Sequence, residues 1–198
     1  MINKFRSSLE PVMSKVGKSF VATGVSANTW TALGLLMSVV AGMIYLLSAP
    51  AIGFSLLNVS IVGSILLLIS GFFDMIDGIV ARATKRSSKK GAFLDSSFDK
   101  IAEAIIFIGI AGGGLANPIL CMIAMSVSLL VSYVRARAES LGIELKGVGI
   151  GERAERILVL AIIGMIPVVG AMQYAVIAIS LLAGVTLVQR VVAASKKL

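Results

Sequence analysis

Six long apolar runs follow one another along the chain, and polar residues collect in the short intervals between them. The runs cover about residues 28–49, 54–82, 93–112, 118–138, 153–166 and 168–189. Most approach the roughly 20 apolar residues that a helix needs to cross a hydrocarbon core about 30 Å thick. The pattern predicts an all-α integral membrane protein with six transmembrane helices in a core over 28–195, and one domain over 1–198. The fifth run is short unless its charged start belongs to the helix. Asn28 is the predicted N-cap of the first span and Pro50 marks its end. Ahead of it, Ile2, Phe5, Leu9, Val12, Met13, Val16 and Phe20 recur at helical spacing among Lys4, Arg6, Lys15 and Lys18. That stripe predicts an interfacial amphipathic helix over 1–24 rather than a cleavable signal peptide.

Composition supports the membrane reading. Of the 198 residues, 58% are hydrophobic and 14% charged, whereas a soluble domain carries about 25% charged residues. Disorder and an ordinary soluble enzyme are both excluded. The net charge is +8, from 18 Lys+Arg against 10 Asp+Glu. None of the basic residues falls in the intervals 48–53, 112–118 or 166–173. By the positive-inside bias those intervals face outward. This predicts a multi-pass protein of the cytoplasmic membrane with both termini in the cytoplasm. The positive charge is then a topology signal, and no nucleic-acid partner is expected. Histidine is absent and the single cysteine, Cys121, sits in an apolar run. His-based catalysis, intrachain disulfides and typical zinc sites are excluded with them.

Acidic residues break the apolar pattern at one place. Asp74 and Asp77 lie three apart toward the end of the second run, and Asp95 and Asp99 lie four apart at the start of the third. Each pair projects from one face of its helix. If the two helices meet at their cytoplasmic ends, four carboxylates converge. Holding Asp74 and Asp77 at the end of an apolar helix costs roughly 2.5–3.5 kcal/mol apiece on insertion scales. Helix capping would account for Asp95, because acids are favoured near helix N-termini. It does not account for Asp74 and Asp77, which lie toward a C-terminus. Two hard divalent cations would balance the four charges, and an all-oxygen donor set favours Mg²⁺ or Mn²⁺ over zinc. Paired ions of this kind clamp transferring phosphoryl groups. An ion pathway through a cation transporter is the rival from another class. Against it, the acidic residues are clustered toward one end of the runs instead of being spread along their depth.

A second polar region holds arginines. Ser132-Tyr133-Val134-Arg135-Ala136-Arg137 precedes one interval, and Gly151-Glu152-Arg153-Ala154-Glu155-Arg156 follows it. Arg153 and Arg156 share a helix face, whereas Arg135 and Arg137, two apart, do not. With Arg190 at the end of the sixth run, they suggest an anionic substrate, because guanidinium binds phosphate through paired hydrogen bonds. Cytoplasmic interface arginines paired with glutamates and lipid headgroups are the bland reading of each taken singly.

The order Asp74-x2-Asp77-Gly78-x2-Ala81-Arg82-x8-Gly91-x3-Asp95-x3-Asp99 resembles, position for position, the signature of the CDP-alcohol phosphotransferases. Gly24 to Thr31 is similar to that family's stretch before the first span, with Ala27 where proline is common. The resemblance implies transfer of a phosphatidyl-type group from a CDP-linked lipid to an alcohol, with CMP leaving. Asp74, Asp77, Asp95 and Asp99 would hold two Mg²⁺ or Mn²⁺ ions, and Asp99 would also be the general base. Gly78, Ala81 and Arg82 would contact the cytidine diphosphate, with Asn28 and Thr31 nearby. Gly91 would allow the turn between the second and third helices. The arginine segments are similar to those of the phosphatidylinositol-phosphate and archaetidylinositol-phosphate synthases within the family. That likeness implies an inositol phosphate acceptor held by Arg135, Arg137, Arg153, Arg156 and Arg190, a donor of either CDP-diacylglycerol or CDP-archaeol, and a homodimer among membrane lipids. Within the family, a phosphatidylglycerophosphate synthase using glycerol 3-phosphate is the alternative.

Overall fold

The structure, a computed structural model, describes residues 19–84, 89–145 and 147–198. Every regular element among the described residues is a helix: α1 (Ala27–Leu46), α2 (Leu56–Ala83), α3 (Lys89–Gly112), α4 (Pro118–Ser140), α5 (Arg153–Gly164) and α6 (Ala171–Ser195). Four of these, α1, α2, α4 and α6, are long and apolar enough to cross a membrane, with mean hydropathies between 1.7 and 2.2. The 12 residues of α5 rise only about 18 Å, short of a full hydrocarbon core. The first turns of α3 are polar and charged. The amphipathic helix expected over 1–24 lies outside the described residues, apart from residues 19–22, which are helical.

Local sequence explains where the helices begin. The cap of α1 is Ser26, two residues before the expected Asn28. The Ser26 backbone is extended, and its hydroxyl accepts the Thr29 amide at 3.3 Å. Asn28 falls in the first turn and is exposed. At α4, Asn117 Oδ1 accepts the amides of Ile119 and Leu120 at 2.9 and 3.2 Å, and Pro118 opens the helix where no amide donor is needed. The start of α5 is a reciprocal cap between Glu152 and Glu155, with the Glu152 amide donating to Glu155 Oε2 at 2.8 Å. Charged residues therefore do belong to this helix, which is how a short apolar run becomes one.

The helices pack in a closed circuit in which α1 contacts α2 and α3, α3 contacts α4, α4 contacts α6, α6 contacts α5, and α5 returns to α2. Small residues bring α1 and α3 together. A side chain at Gly109 would strike the Gly42 carbonyl, and Ser48 Oγ donates to the Gly113 carbonyl at 2.9 Å. Serines tie the buried faces elsewhere. Ser38 and Ser70 hydroxyls meet at 2.7 Å between α1 and α2, and Ser60 Oγ donates to the Gly164 carbonyl of α5 at 2.7 Å. In lipid such interhelical bonds are worth about 0.6 kcal/mol each, so close packing has to supply the remainder. We expect Gly109→Val to destabilise the bundle by about 1–3 kcal/mol through overpacking, read as a lower Tm in detergent. Gly71→Ala, where no atom lies within 4 Å of the added methyl, should leave Tm unchanged or raise it.

Candidate active site

The C-terminal ends of α2, α4 and α6 and the N-terminal ends of α3 and α5 meet at one end of the bundle. Asp74 on α2 and Asp95 and Asp99 on α3 converge there, with a carboxylate oxygen from each within 4.8 Å of the others. The helical spacing of the acids delivers this arrangement once α2 and α3 run antiparallel. Asp77 lies one turn further along α2, outside that group of three. It is buried, and its Oδ2 has no hydrogen-bond partner. An oxygen-only donor set with one buried carboxylate oxygen left unpartnered fits a hard divalent cation.

Arg153, at the start of α5, supplies the positive charge inside the cluster. Its Nη1 lies 3.0 Å from Asp74 Oδ1 and 2.7 Å from Asp99 Oδ1. Its Nε is buried and has no partner, which leaves one donor uncommitted. Thr31, Asp74, Asp99 and Arg153 share a small pocket between α1, α2, α3 and α5. Beside it opens a cleft of about 470 Å³ lined by Asp74, Asp95, Asp99, Lys100, Arg135, Arg153, Arg156 and Arg190, among others. Three carboxylates thus face one another next to a strongly basic wall, with Asp77 one turn further along α2.

The basic residues differ in their freedom. Arg135 is partly exposed and donates from Nε to Glu139 at 2.9 Å. Arg190 is buried, with Nε on the Val148 carbonyl at 2.9 Å and Nη1 on the Val131 carbonyl at 3.0 Å. Arg156 is also buried, against Glu103 and the Gly151 carbonyl. Arg137 is not among the residues lining the cleft. Two positions on from Arg135, it faces elsewhere on α4, is exposed, and reaches Ser140 Oγ at 3.5 Å. Of the five arginines expected at the acceptor, it is the one set apart from the cleft lining.

The other expected residues lie at the same end. Arg82 is exposed and folds back over Gly78, with Nη1 3.3 Å from where a side chain at Gly78 would begin. Ala81 is half-buried beside it, and Asn28 is exposed at the start of α1. Gly91 does not form the turn between α2 and α3. It is helical, in the first turn of α3. Two charged residues escaped the sequence reading, Lys100 and Glu103. The available signal was an acid one turn beyond Asp99, inside an otherwise apolar stretch.

The comparisons with known proteins agree with this geometry. A family model described as CDP-alcohol phosphatidyltransferase matches residues 24–190. The chain is 33% identical over 198 residues to the archaetidylinositol phosphate synthase of Pyrococcus horikoshii, covering 100% of this chain and 98% of that one. It is 44% identical over 135 residues to the archaetidylinositol phosphate synthase of Methanothermobacter thermautotrophicus, covering 67% and 69%. Crystal structures of the Mycobacterium tuberculosis phosphatidylinositol phosphate synthase share the fold. The form with CDP-DAG bound aligns with a TM-score of 0.75 at 23% identity over 93% of this chain and 94% of that one. The form in complex with manganese and citrate aligns with a TM-score of 0.75 at 23% identity, over 92% and 88%. An apolar helical bundle, an acidic cluster in signature order and a family match over nearly the whole chain lead to one conclusion: this protein belongs to the CDP-alcohol phosphatidyltransferase family.

Proposed function

We propose that the protein transfers the phosphatidyl-type group of a CDP-linked lipid, CDP-diacylglycerol or CDP-archaeol, to inositol phosphate and releases CMP in phospholipid biosynthesis. The observation that carries this reading is the acidic cluster of α2 and α3 opening directly onto an arginine-lined cleft. The full-length similarity to archaetidylinositol phosphate synthases supports inositol phosphate as the acceptor. A cation transporter would need acids distributed through the depth of the bundle. Among the described residues, the acid set deepest from this end, Glu103, is tied to Arg156.

Asp74, Asp77, Asp95 and Asp99 would hold two Mg²⁺ or Mn²⁺ ions. When bound, such ions polarise phosphoryl oxygens and stabilise charge on the departing nucleotide. Gly78, Ala81 and Arg82, with Asn28 and Thr31, take the cytidine diphosphate. Gly78 leaves room for the Arg82 guanidinium to lie along the helix. Arg135 and Arg153 face the acceptor phosphate, with Arg156 and Arg190 in the buried wall behind them. Asp99 takes the proton of the attacking hydroxyl. The new O–P bond forms at the phosphorus nearest the lipid as the bond from that phosphorus to CMP breaks. With α3 and α5 completing six crossings, both termini and the active end would face the cytoplasm, where the substrates are water-accessible. The family resemblance supports a homodimer.

Two outcomes test this reading. Chelator-treated enzyme should lose transfer and recover it with Mg²⁺ or Mn²⁺. Asp77→Asn and Asp95→Asn should each lower kcat by about 100-fold or more while the protein stays folded by circular dichroism. Separately, Arg135→Ala should raise KM for inositol phosphate by about 10-fold or more, as expected for loss of a charge-assisted hydrogen bond. Arg82→Ala should instead raise KM for the CDP-lipid. Preferential use of glycerol 3-phosphate by the purified enzyme would overturn the assigned acceptor.

A further inference from the structure

Glu103 has no part in the chemistry proposed above, yet it is among the most deeply buried charges in the protein. It lies one turn beyond Asp99 on α3 and is 3% exposed, and its partner Arg156 on α5 is 2% exposed. Glu103 Oε1 accepts from both Nε and Nη2 of Arg156, at 3.2 and 2.9 Å, and Oε2 faces Lys100 Nζ at 3.4 Å. The remaining edge of the guanidinium is also used. Arg156 Nη1 donates to the Gly151 carbonyl at 2.8 Å, and the Gly151 amide donates to Thr186 Oγ1 on α6 at 2.9 Å. One buried polar chain therefore runs from α3 through α5 and the loop before it to α6.

The loop is pressed flat against α6. A side chain at Gly151 would begin 2.6 Å from Leu182 Cγ, and one at Gly149, where φ is +107°, would strike the Thr186 methyl. The loop approaches α6 too closely for side chains at these two positions, and hydrogen bonds tie it to Thr186 on α6 and to Arg156 on α5. Arg153 lies one turn before Arg156, and its Nη1 reaches both Asp74 and Asp99. A rotation or shift of α5 would carry that guanidinium away from both carboxylates and from the cleft.

A buried ion pair is a poor source of net stability, because desolvation offsets its attraction, and it is better understood by what it specifies. We propose that Glu103 is a positioning residue that acts through Arg156. By clamping Arg156 it sets the register of α5 against α3 and so aims Arg153 at the junction of the acidic cluster and the acceptor cleft. Arg156 itself lines the cleft, so the clamp on Glu103 and Gly151 also holds its guanidinium in place at the cleft wall. The inference rests on the acceptor reading above.

The test measures kcat and both KM values for the full chain with CDP-diacylglycerol and inositol phosphate. Glu103→Ala and Arg156→Ala should each raise the acceptor KM by about 10-fold or more, with the donor KM within about 2-fold of wild type. The double variant should be no more than about 2-fold worse than either single variant, because the pair acts as one unit. Glu103→Gln, whose amide oxygen still accepts from Arg156, should stay within about 3-fold of wild type. The opposite result, Glu103→Ala lowering or sparing the acceptor KM while Arg156→Ala raises it, would show that Arg156 acts without being positioned by Glu103, and would overturn the proposal. A parallel rise of both KM values in Glu103→Ala would overturn it too.

If the alanine variants do not fold, Arg156→Lys decides. Lysine keeps the charge but cannot hold Glu103 and Gly151 together, so the acceptor KM should rise, and a wild-type value would contradict the clamp. The failure of the assigned acceptor is read separately, from wild-type turnover of inositol phosphate against glycerol 3-phosphate. A substrate-free readout accompanies both. Spin labels at Ala92 and Ala154 should give a broader distance distribution in Glu103→Ala than in wild type or Glu103→Gln, and an unchanged distribution would contradict the proposal.

Discussion

Carboxylate oxygens crowded within 4.8 Å of one another at the end of an apolar bundle repel strongly, and the architecture of that end follows from this repulsion. At such separations two like charges interact by several kcal/mol even in a partly wet protein environment with an effective dielectric near 20. The arrangement persists only with cations in reach. Arg153 bridges Asp74 and Asp99, and Lys100 and Arg135 line the adjoining cleft. The same excess of negative charge that makes the cluster costly gives it affinity for hard metal ions. The cluster also sits beside a basic cleft of about 470 Å³.

The rest of the bundle supplies rigidity where lipid gives no hydrophobic push between helices. Close packing of Gly42 and Gly109 lets α3 lie tightly on α1, and serine hydroxyls satisfy one another or backbone carbonyls across α1, α2 and α5. α2 and α3 therefore have fixed faces, and the aspartates are presented at a set separation. α5 is held differently, through charged and loop contacts that reach α3 and α6. The helix with the least apolar length is anchored by the strongest polar contacts.

Much of the acidic site is legible in the chain because it is built from short-range periodicity. Asp74 and Asp77, then Asp95 and Asp99, are separated by single helical turns, and the packing of α2 and α3 on α1 brings their acidic ends together. What could not be read depends on contacts between distant positions. Arg153 meets Asp74 across 79 positions, and Arg156 meets Glu103 across 53. No local pattern distinguishes a guanidinium that faces a ligand from one consumed by a buried partner. The even spacing of Arg135 and Arg137 did carry a usable signal, since the two cannot share a face, and Arg137 lies outside the cleft. Helix ends were shifted by local competition: Ser26 capped α1 ahead of Asn28, and Gly91 entered α3 instead of the preceding turn. Asp77 is buried apart from the other three acids, a separation that helical spacing alone does not specify.

The central claim is that the aspartates of α2 and α3 gather two dications beside the nucleotide of a lipid donor. Anomalous diffraction at the manganese edge, from crystals grown with Mn²⁺ and a CDP-lipid, tests it most directly. The account predicts two anomalous peaks among Asp74, Asp77, Asp95 and Asp99, with the cytidine diphosphate against Gly78 and Arg82. Bound CDP-lipid with no manganese among those carboxylates would contradict it.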